Sequence, residues 1–93
     1  MTMLTNLASV LRAAGVPVVE EPGWATRGHT DPRNTPGSFG RGLSGPPKTI
    51  VCHHTGGLKD LRVIVDGRPG LSGPLANVWL AQTGTWHVVA AGM

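Results

Sequence analysis

Residues 78–89 are Val-Trp-Leu-Ala-Gln-Thr-Gly-Thr-Trp-His-Val-Val, and this stretch carries the clearest local structural signal in the chain. Runs rich in β-branched and aromatic side chains lie on both sides of Thr83-Gly84, and such runs favour extended strands. A glycine-containing pair between two runs of this kind is typical of a tight turn. The stretch therefore predicts a β-hairpin.

Upstream of the hairpin, Thr49–Cys52 is a second apolar run, and it leads into His53, His54, Thr55 and the glycine pair Gly56-Gly57. The run predicts a strand at the centre of a sheet, with imidazole groups at the sheet's rim. Neutral imidazole is the commonest zinc ligand in proteins, so the pair indicates a candidate metal site. Neighbouring residues on a strand point to opposite faces, so only one histidine can face a metal. On these residues alone, a structural role for the pair is an equally good interpretation.

The segment between the histidines and the hairpin has two interpretations. Leu61–Val65 has the β-branched content of a strand, whereas its apolar residues together with Leu58 also fit one face of a helix. Asp66-Gly67 and Pro69-Gly70 then predict turns.

At the N-terminus, apolar residues recur at the spacing of an amphipathic helix, which predicts a helix that Gly15 ends. These residues are Leu4, Leu7, Val10, Leu11 and Ala14. Val16–Val19 then predicts one short strand, and Pro17 places it at a sheet edge.

Residues 22–47 are dominated by glycine, proline and polar side chains, which predicts a long irregular loop. Trp24 either contacts a ligand by stacking or, as is more usual, fixes the loop to the core. Arg27, Arg33 and Arg41 either meet acidic groups of a partner or are solvated loop charges.

Composition limits the possible classes of protein. The chain has 93 residues, one cysteine and a net charge of +3. This length corresponds to one small domain, and a single cysteine excludes an intramolecular disulfide. No targeting segment or membrane-spanning run is evident. The positive charge suits an anionic partner such as a cell-wall polymer or a nucleic acid.

The order of several motifs resembles that of a known enzyme family. Trp24-Ala25-Thr26-Arg27-Gly28, the histidine pair, residues 66–77 and the hairpin followed by Val88–Gly92 occur in the order found in zinc-dependent N-acetylmuramoyl-L-alanine amidases. These belong to the type 2 amidase and peptidoglycan-recognition-protein superfamily. The likeness is greatest to the amidase modules of bacteriophage endolysins that act on actinobacteria, and it runs from about Leu7 to the last residue.

This resemblance implies an α/β fold, namely the N-terminal part of a type 2 amidase with a central mixed β-sheet flanked by helices and a long irregular loop. The chain then forms one partial amidase domain. Residues 1–21 hold a helix and a short strand, residues 22–47 form the loop, and residues 48–93 form the sheet core with its hairpin. The resemblance also favours a helix or turn for residues 58–65.

The resemblance further implies a Zn²⁺ site in which His53 is the first ligand, with His54, Thr55 and Trp24 near the substrate. Family members carry a second histidine and a cysteine or aspartate ligand downstream of the hairpin, so the remaining ligands are expected outside this chain. Asn77 lies near the position where many relatives have a tyrosine or glutamate. It could orient substrate or water by hydrogen bonds, but it cannot act as a general base.

Ligands from within the chain are a weaker alternative. Cys52 precedes His53, so on a strand it points to the opposite face, where it is interpreted as a small buried hydrophobe. His87 would have to approach His53 across the sheet, and His29 lies in the loop, where exposure is usual. A complete zinc site is therefore not expected from these residues.

The function implied is that of a hydrolase that degrades peptidoglycan during cell lysis, made in the host cytoplasm and acting at the cell wall after release. Activity would require a second segment or polypeptide that supplies the missing ligands. A partner chain or self-association is also expected, because the apolar faces around Trp79, Trp86 and Val88 would need cover. The alternative function is a truncated, catalytically inactive wall-binding or regulatory derivative. A nucleic-acid binder is the least favoured reading, since the sequence has no recognisable helix-turn-helix, finger or RNA platform.

Overall fold

The structure is a computed structural model that describes residues 3–28, 45–57 and 59–92, with the side chain of Ser72 left out. Within these residues the chain has the α/β class predicted from its sequence, with a mixed three-stranded sheet and two α-helices. The elements in chain order are α1 (Leu7–Ala13), β1 (Val18–Glu20), a 3-10 turn (Trp24–Thr26), α2 (Leu61–Asp66), β2 (Gly67–Arg68), β3 (Leu71–Ser72), β4 (Val78–Leu80) and β5 (Trp86–Val88).

The hairpin predicted around Thr83-Gly84 is confirmed, and it forms two of the three strands in the main sheet. β5 is the central strand, with β4 antiparallel on one side and β1 parallel on the other. Val88 lies opposite Val78 in β4 and Glu20 in β1. β1 is an edge strand, as Pro17 predicted, since a proline at its start removes a backbone donor. The predicted mixed sheet is therefore present, with β5 at its centre.

The predicted N-terminal helix is also confirmed and covers one face of this sheet. Ala8 is 3% exposed and packs in a cluster with Trp24, Val88 and Ala91. Leu7, Leu11 and Val18 are partly buried against this cluster. The helix ends as predicted at Gly15, whose φ of +84° is a left-handed conformation that glycine adopts without strain.

α2 packs against the run that follows β5 and against Trp79 of β4, and the helical interpretation of residues 61–65 is confirmed. Ile64 and Val65 are buried in a second cluster with Val89 and Ala90. Val88–Ala91 is therefore buried between the two helices, with every residue 0% exposed. The expectation that the faces around Val88 need cover is wrong for Val88 itself, while Trp79 packs against the second cluster and is only partly buried.

The central strand predicted at Thr49–Cys52 is wrong. These residues have no regular secondary structure, and Ile50 and Val51 are 90% and 78% exposed. Apolar composition favours a strand, but a strand also needs a neighbouring backbone with which to form hydrogen bonds. In the part of the chain that is described, β5 holds the central position instead.

The turns predicted after α2 form a small antiparallel pair, β2 and β3, in which Gly67 lies opposite Ser72 and Arg68 opposite Leu71. Of the predicted loop at residues 22–47, the structure describes residues 22–28, which contain the 3-10 turn, and residues 45–47. His29, Arg33 and Arg41 lie outside the described residues. No helix in the described parts of the chain is long and apolar enough to cross a membrane.

Candidate functional site

The histidine pair lies on the exposed segment formed by residues 49–57. His53 and His54 are both exposed, and the Thr55 hydroxyl donates a hydrogen bond of 3.2 Å to the Gly57 carbonyl within the same segment. Cys52 is exposed as well, so its interpretation as a small buried hydrophobe is wrong, because the strand that would have buried it is not formed. The segment presents its imidazole groups to solvent, where they are accessible to a metal or substrate.

The described residues do not supply a complete zinc site. Among them, no group of three or more His, Cys, Asp and Glu side chains is placed to hold a metal ion. A catalytic zinc needs about three protein ligands and an open position. His53 therefore remains a predicted ligand that would have to be joined by others, and the present residues do not fit a resident zinc ion on their own.

His87 is engaged elsewhere, on β5. Its Nδ1 lies 2.9 Å from Oε1 of Glu21, and both side chains are largely buried. The Trp79 ring on the neighbouring strand lies 5.2 Å away between centroids, with the two planes tilted by 53°. A partly buried histidine hydrogen-bonded to a carboxylate has a fixed ring orientation. His87 therefore links the end of β1 to the hairpin.

Trp24 fixes the start of the predicted loop to the core, which is the more usual of the two roles considered for it. It is 8% exposed, and its indole N–H donates a 2.8 Å hydrogen bond to Oε1 of Glu20. Arg12 on α1 donates a 2.7 Å hydrogen bond to the other oxygen of the same carboxylate. The bond from Arg12, followed by the bond from Trp24, lowers the pKa of Glu20. This network joins α1, β1 and the 3-10 turn, and it leaves little of the indole surface for a substrate.

Asn77 holds the run that follows the hairpin. Its side-chain Nδ2 donates hydrogen bonds to the carbonyls of Ala90, at 2.9 Å, and Gly92, at 3.2 Å. The backbone carbonyl of Asn77 accepts hydrogen bonds from the backbone N–H groups of Val89 and Ala90. Both amide hydrogens thus have backbone partners, so Asn77 positions residues 89–92. This role was not predictable from the sequence, since the contacts join residues more than ten positions apart.

A cleft of about 410 Å³ opens between the 3-10 turn and the C-terminal end of α2. Arg27 is held in its wall, with one terminal guanidinium nitrogen donating a 2.7 Å hydrogen bond to the Val89 carbonyl and the other donating to the Pro22 carbonyl. Gly73 approaches α2 so closely that a Cβ there would lie 2.5 Å from the Val65 carbonyl oxygen. The cleft is lined by Gly23, Thr26, Arg27, Gly28, Val65, Asp66, Gly73 and Pro74.

The residues predicted for the site therefore fall into two groups, one at the buried run after β5 and one on the exposed segment. Trp24 and Asn77 both contact the buried run that follows β5, through the Trp24 carbonyl and the Asn77 amide. His53, His54 and Thr55 lie on the exposed segment. Of the motifs singled out in the sequence, Arg27-Gly28 and Gly73-Pro74 meet at the cleft, which the sequence did not predict. Comparison with protein-family models, curated proteins and solved structures finds no match to this chain.

Proposed function

We propose that this chain is the N-terminal part of a zinc-dependent endolysin that hydrolyses the amide bond between N-acetylmuramic acid and L-alanine in peptidoglycan. The observation that carries the proposal is the order of motifs around His53, from Trp24-Ala25-Thr26-Arg27-Gly28 to the hairpin. The α/β class and the mixed sheet agree with it. The exposure of His53 supports it further, because a metal and a substrate must both be able to reach that side chain.

In this proposal, His53 is a zinc ligand, and the remaining ligands come from a second segment or polypeptide that joins the exposed segment. His54 and Thr55 lie beside His53 and would face the substrate or the joining segment. Asn77 acts as a positioning residue, since its amide hydrogens bind the Ala90 and Gly92 carbonyls and so fix where the chain leaves the hairpin. The proposal places synthesis in the host cytoplasm and action at the cell wall after release.

The exposed apolar residues support a requirement for a further segment. Ile50 and Val51 are almost fully exposed, and Leu80 on the edge strand β4 is 51% exposed. Apolar side chains that are exposed next to one another commonly mark an interface. Cover for residues 49–52 would come from the same second segment, or from self-association.

A second candidate is a catalytically inactive wall-binding or regulatory derivative. The net charge of +3 favours this candidate independently of any metal, because positive charge attracts the chain to anionic wall polymers. It differs from the first candidate in requiring peptidoglycan binding without amide hydrolysis.

The test is to recover the tagged chain from its native expression setting together with any polypeptide that it binds, and to assay zinc content and hydrolysis of purified peptidoglycan. We expect zinc in the recovered assembly and release of new N-terminal L-alanine without new reducing sugar ends. His53→Ala should lower this release by about a hundredfold or more, since even the loss of a residue that orients a metal ligand costs about 10- to 100-fold.

His54→Ala is the matched control, because it removes the same side chain from the neighbouring position and should keep zinc bound. Equal zinc content in the His53→Ala and wild-type assemblies would contradict the amidase proposal. Peptidoglycan binding by the chain alone, without zinc and without hydrolysis, would support the second candidate instead.

A further inference from the structure

The cleft beside the 3-10 turn has the volume of a small-molecule site, and its lining is open and mostly polar. Its volume of about 410 Å³ falls within the range of roughly 300–1,000 Å³ that is usual for ligand pockets. One wall is the turn that carries Thr26 and Arg27, and the other is the end of α2 that carries Val65 and Asp66. Its two charged residues, the cation Arg27 and the anion Asp66, therefore lie on different elements of the fold.

The cationic wall is held in place by the fold. The Arg27 side chain is partly buried, and its hydrogen bonds to the Val89 and Pro22 carbonyls fix the guanidinium plane at two points. A guanidinium carries further N–H donors in a planar fork that matches the geometry of a carboxylate. A fixed donor group loses little conformational entropy when a ligand binds, so Arg27 is well suited to receive a carboxylate.

The anionic wall is Asp66, the last residue of α2, whose side chain is exposed. Both Arg27 and Asp66 are among the described residues, and their charged groups form no ion pair with each other. The two side chains therefore do not pair with each other, and both residues line the cleft. Thr26 adds a hydroxyl on the Arg27 side of the cleft.

We propose that this cleft binds a short peptide in its zwitterionic form, with the terminal carboxylate at Arg27 and the terminal ammonium at Asp66. A phosphate-bearing ligand fits less well, because Asp66 would repel it, and a neutral sugar would use neither charge. None of the residues that line the cleft belongs to the exposed segment 49–57. The inference stands whether or not the chain is part of an amidase.

The test is a titration of the full chain with the dipeptide L-alanyl-L-alanine, followed by NMR of the backbone amides. Saturable shifts are expected at the cleft, at Thr26, Gly28, Asp66 and Gly73. Blocking the amine by acetylation, or the carboxylate by amidation, should each weaken binding by about threefold to fivefold, the size of effect expected for one partly solvated ion pair.

Asp66→Asn should weaken binding of the free dipeptide by the same factor and leave binding of the acetylated dipeptide unchanged. Asp60→Asn is the matched control, since it makes the same change at the other end of α2, outside the cleft lining, and should leave both ligands unaffected. An absence of saturable shifts up to the solubility limit would overturn the proposal. So would an equal response of the free and acetylated dipeptides to Asp66→Asn.

Discussion

Residues 86–91 and residues 49–52 are both short apolar runs, yet they have opposite environments. Val88 is 0% exposed at the centre of the sheet, whereas Val51 is 78% exposed on a segment without regular structure. β5 has a paired strand on each side, α1 packs against its Val88, and α2 packs against the run that follows it. The difference shows that side chains of the same kind become core or surface according to whether neighbouring backbone is in place.

The polar residues of the two regions differ in the same way. Around β5, the side chains of Glu20, Trp24, Arg27 and Asn77 all make hydrogen bonds that hold parts of the fold together. On the segment 49–57, His53 and His54 are exposed to solvent. The polar side chains of the packed region hold parts of the fold together, whereas the two histidines of the exposed segment are open to solvent.

The largest effect is expected when a valine in the packed region is shortened to alanine, and the same change in the exposed segment serves as the comparison. Val88→Ala should lower the free energy of unfolding by about 2 kcal/mol, because it removes buried apolar surface and leaves a cavity. Val51→Ala is the matched variant, and it should change that free energy by less than about 0.5 kcal/mol, as is usual at exposed positions. Urea denaturation of the purified full chain measures both. Equal losses would mean that residues 49–52 are packed in solution, and would remove the contrast between the regions.

Removal of the Asn77 amide should have a smaller effect of about 1.5 kcal/mol, since the Ala90 and Gly92 carbonyls each lose a donor. Asn77→Ala should also speed hydrogen exchange at the N–H groups of Ala91 and Gly92, which bond to the Trp24 and Arg27 carbonyls. Asn6→Ala is the control, because the Asn6 side chain makes no capping bond at α1. Unchanged exchange in Asn77→Ala would show that the buried run holds without this side chain.

The smallest effect concerns pH and again belongs to the packed region. The pKa of Glu20 is lowered below the ordinary glutamate value of 4.5, chiefly by the hydrogen bond from Arg12 and next by that from Trp24. A carboxylate with a lowered pKa in the folded state stabilises the fold at pH values above 4.5, and this contribution is lost as the pH falls through the folded value. The wild type should therefore lose stability relative to Glu20→Gln below pH 4.5.

The measurement for this prediction is a series of urea denaturation curves of both proteins between neutral and acidic pH. Arg12→Gln should also make stability depend less on pH, because it removes the hydrogen bond that contributes most to the lowered pKa of Glu20. A constant difference between wild type and Glu20→Gln across the series would contradict it.

Much of the fold was predictable because local patterns are strong in several elements. The periodic apolar residues of α1, the turn at Thr83-Gly84 and the proline before β1 each specify their own structure through short-range physics. The choice between helix and strand for Leu61–Val65 was not local, since both patterns fit. It was decided by packing of Ile64 and Val65 against the run after β5.

The candidate site was less predictable for the same reason. The sequence singled out the tryptophan that fixes the 3-10 turn, and it also singled out the histidine pair but placed it at the end of a strand that is not formed. Contacts such as those of Asn77 with Gly92 join residues that are distant in the chain. The cleft likewise depends on Arg27 and Asp66, which are distant in the chain, lining the same space. No spacing rule in a single sequence specifies that kind of meeting.

The sequence by itself determined the amphipathic helix, the hairpin and the edge position of β1, because each depends on side chains close together in the chain. Only the tertiary structure decided that Val88–Ala91 is buried while Ile50 and Val51 are exposed. Both runs are apolar enough for a strand, but a strand is stable only where neighbouring backbone groups pair with it and other elements cover its faces. Those partners are set by the whole fold.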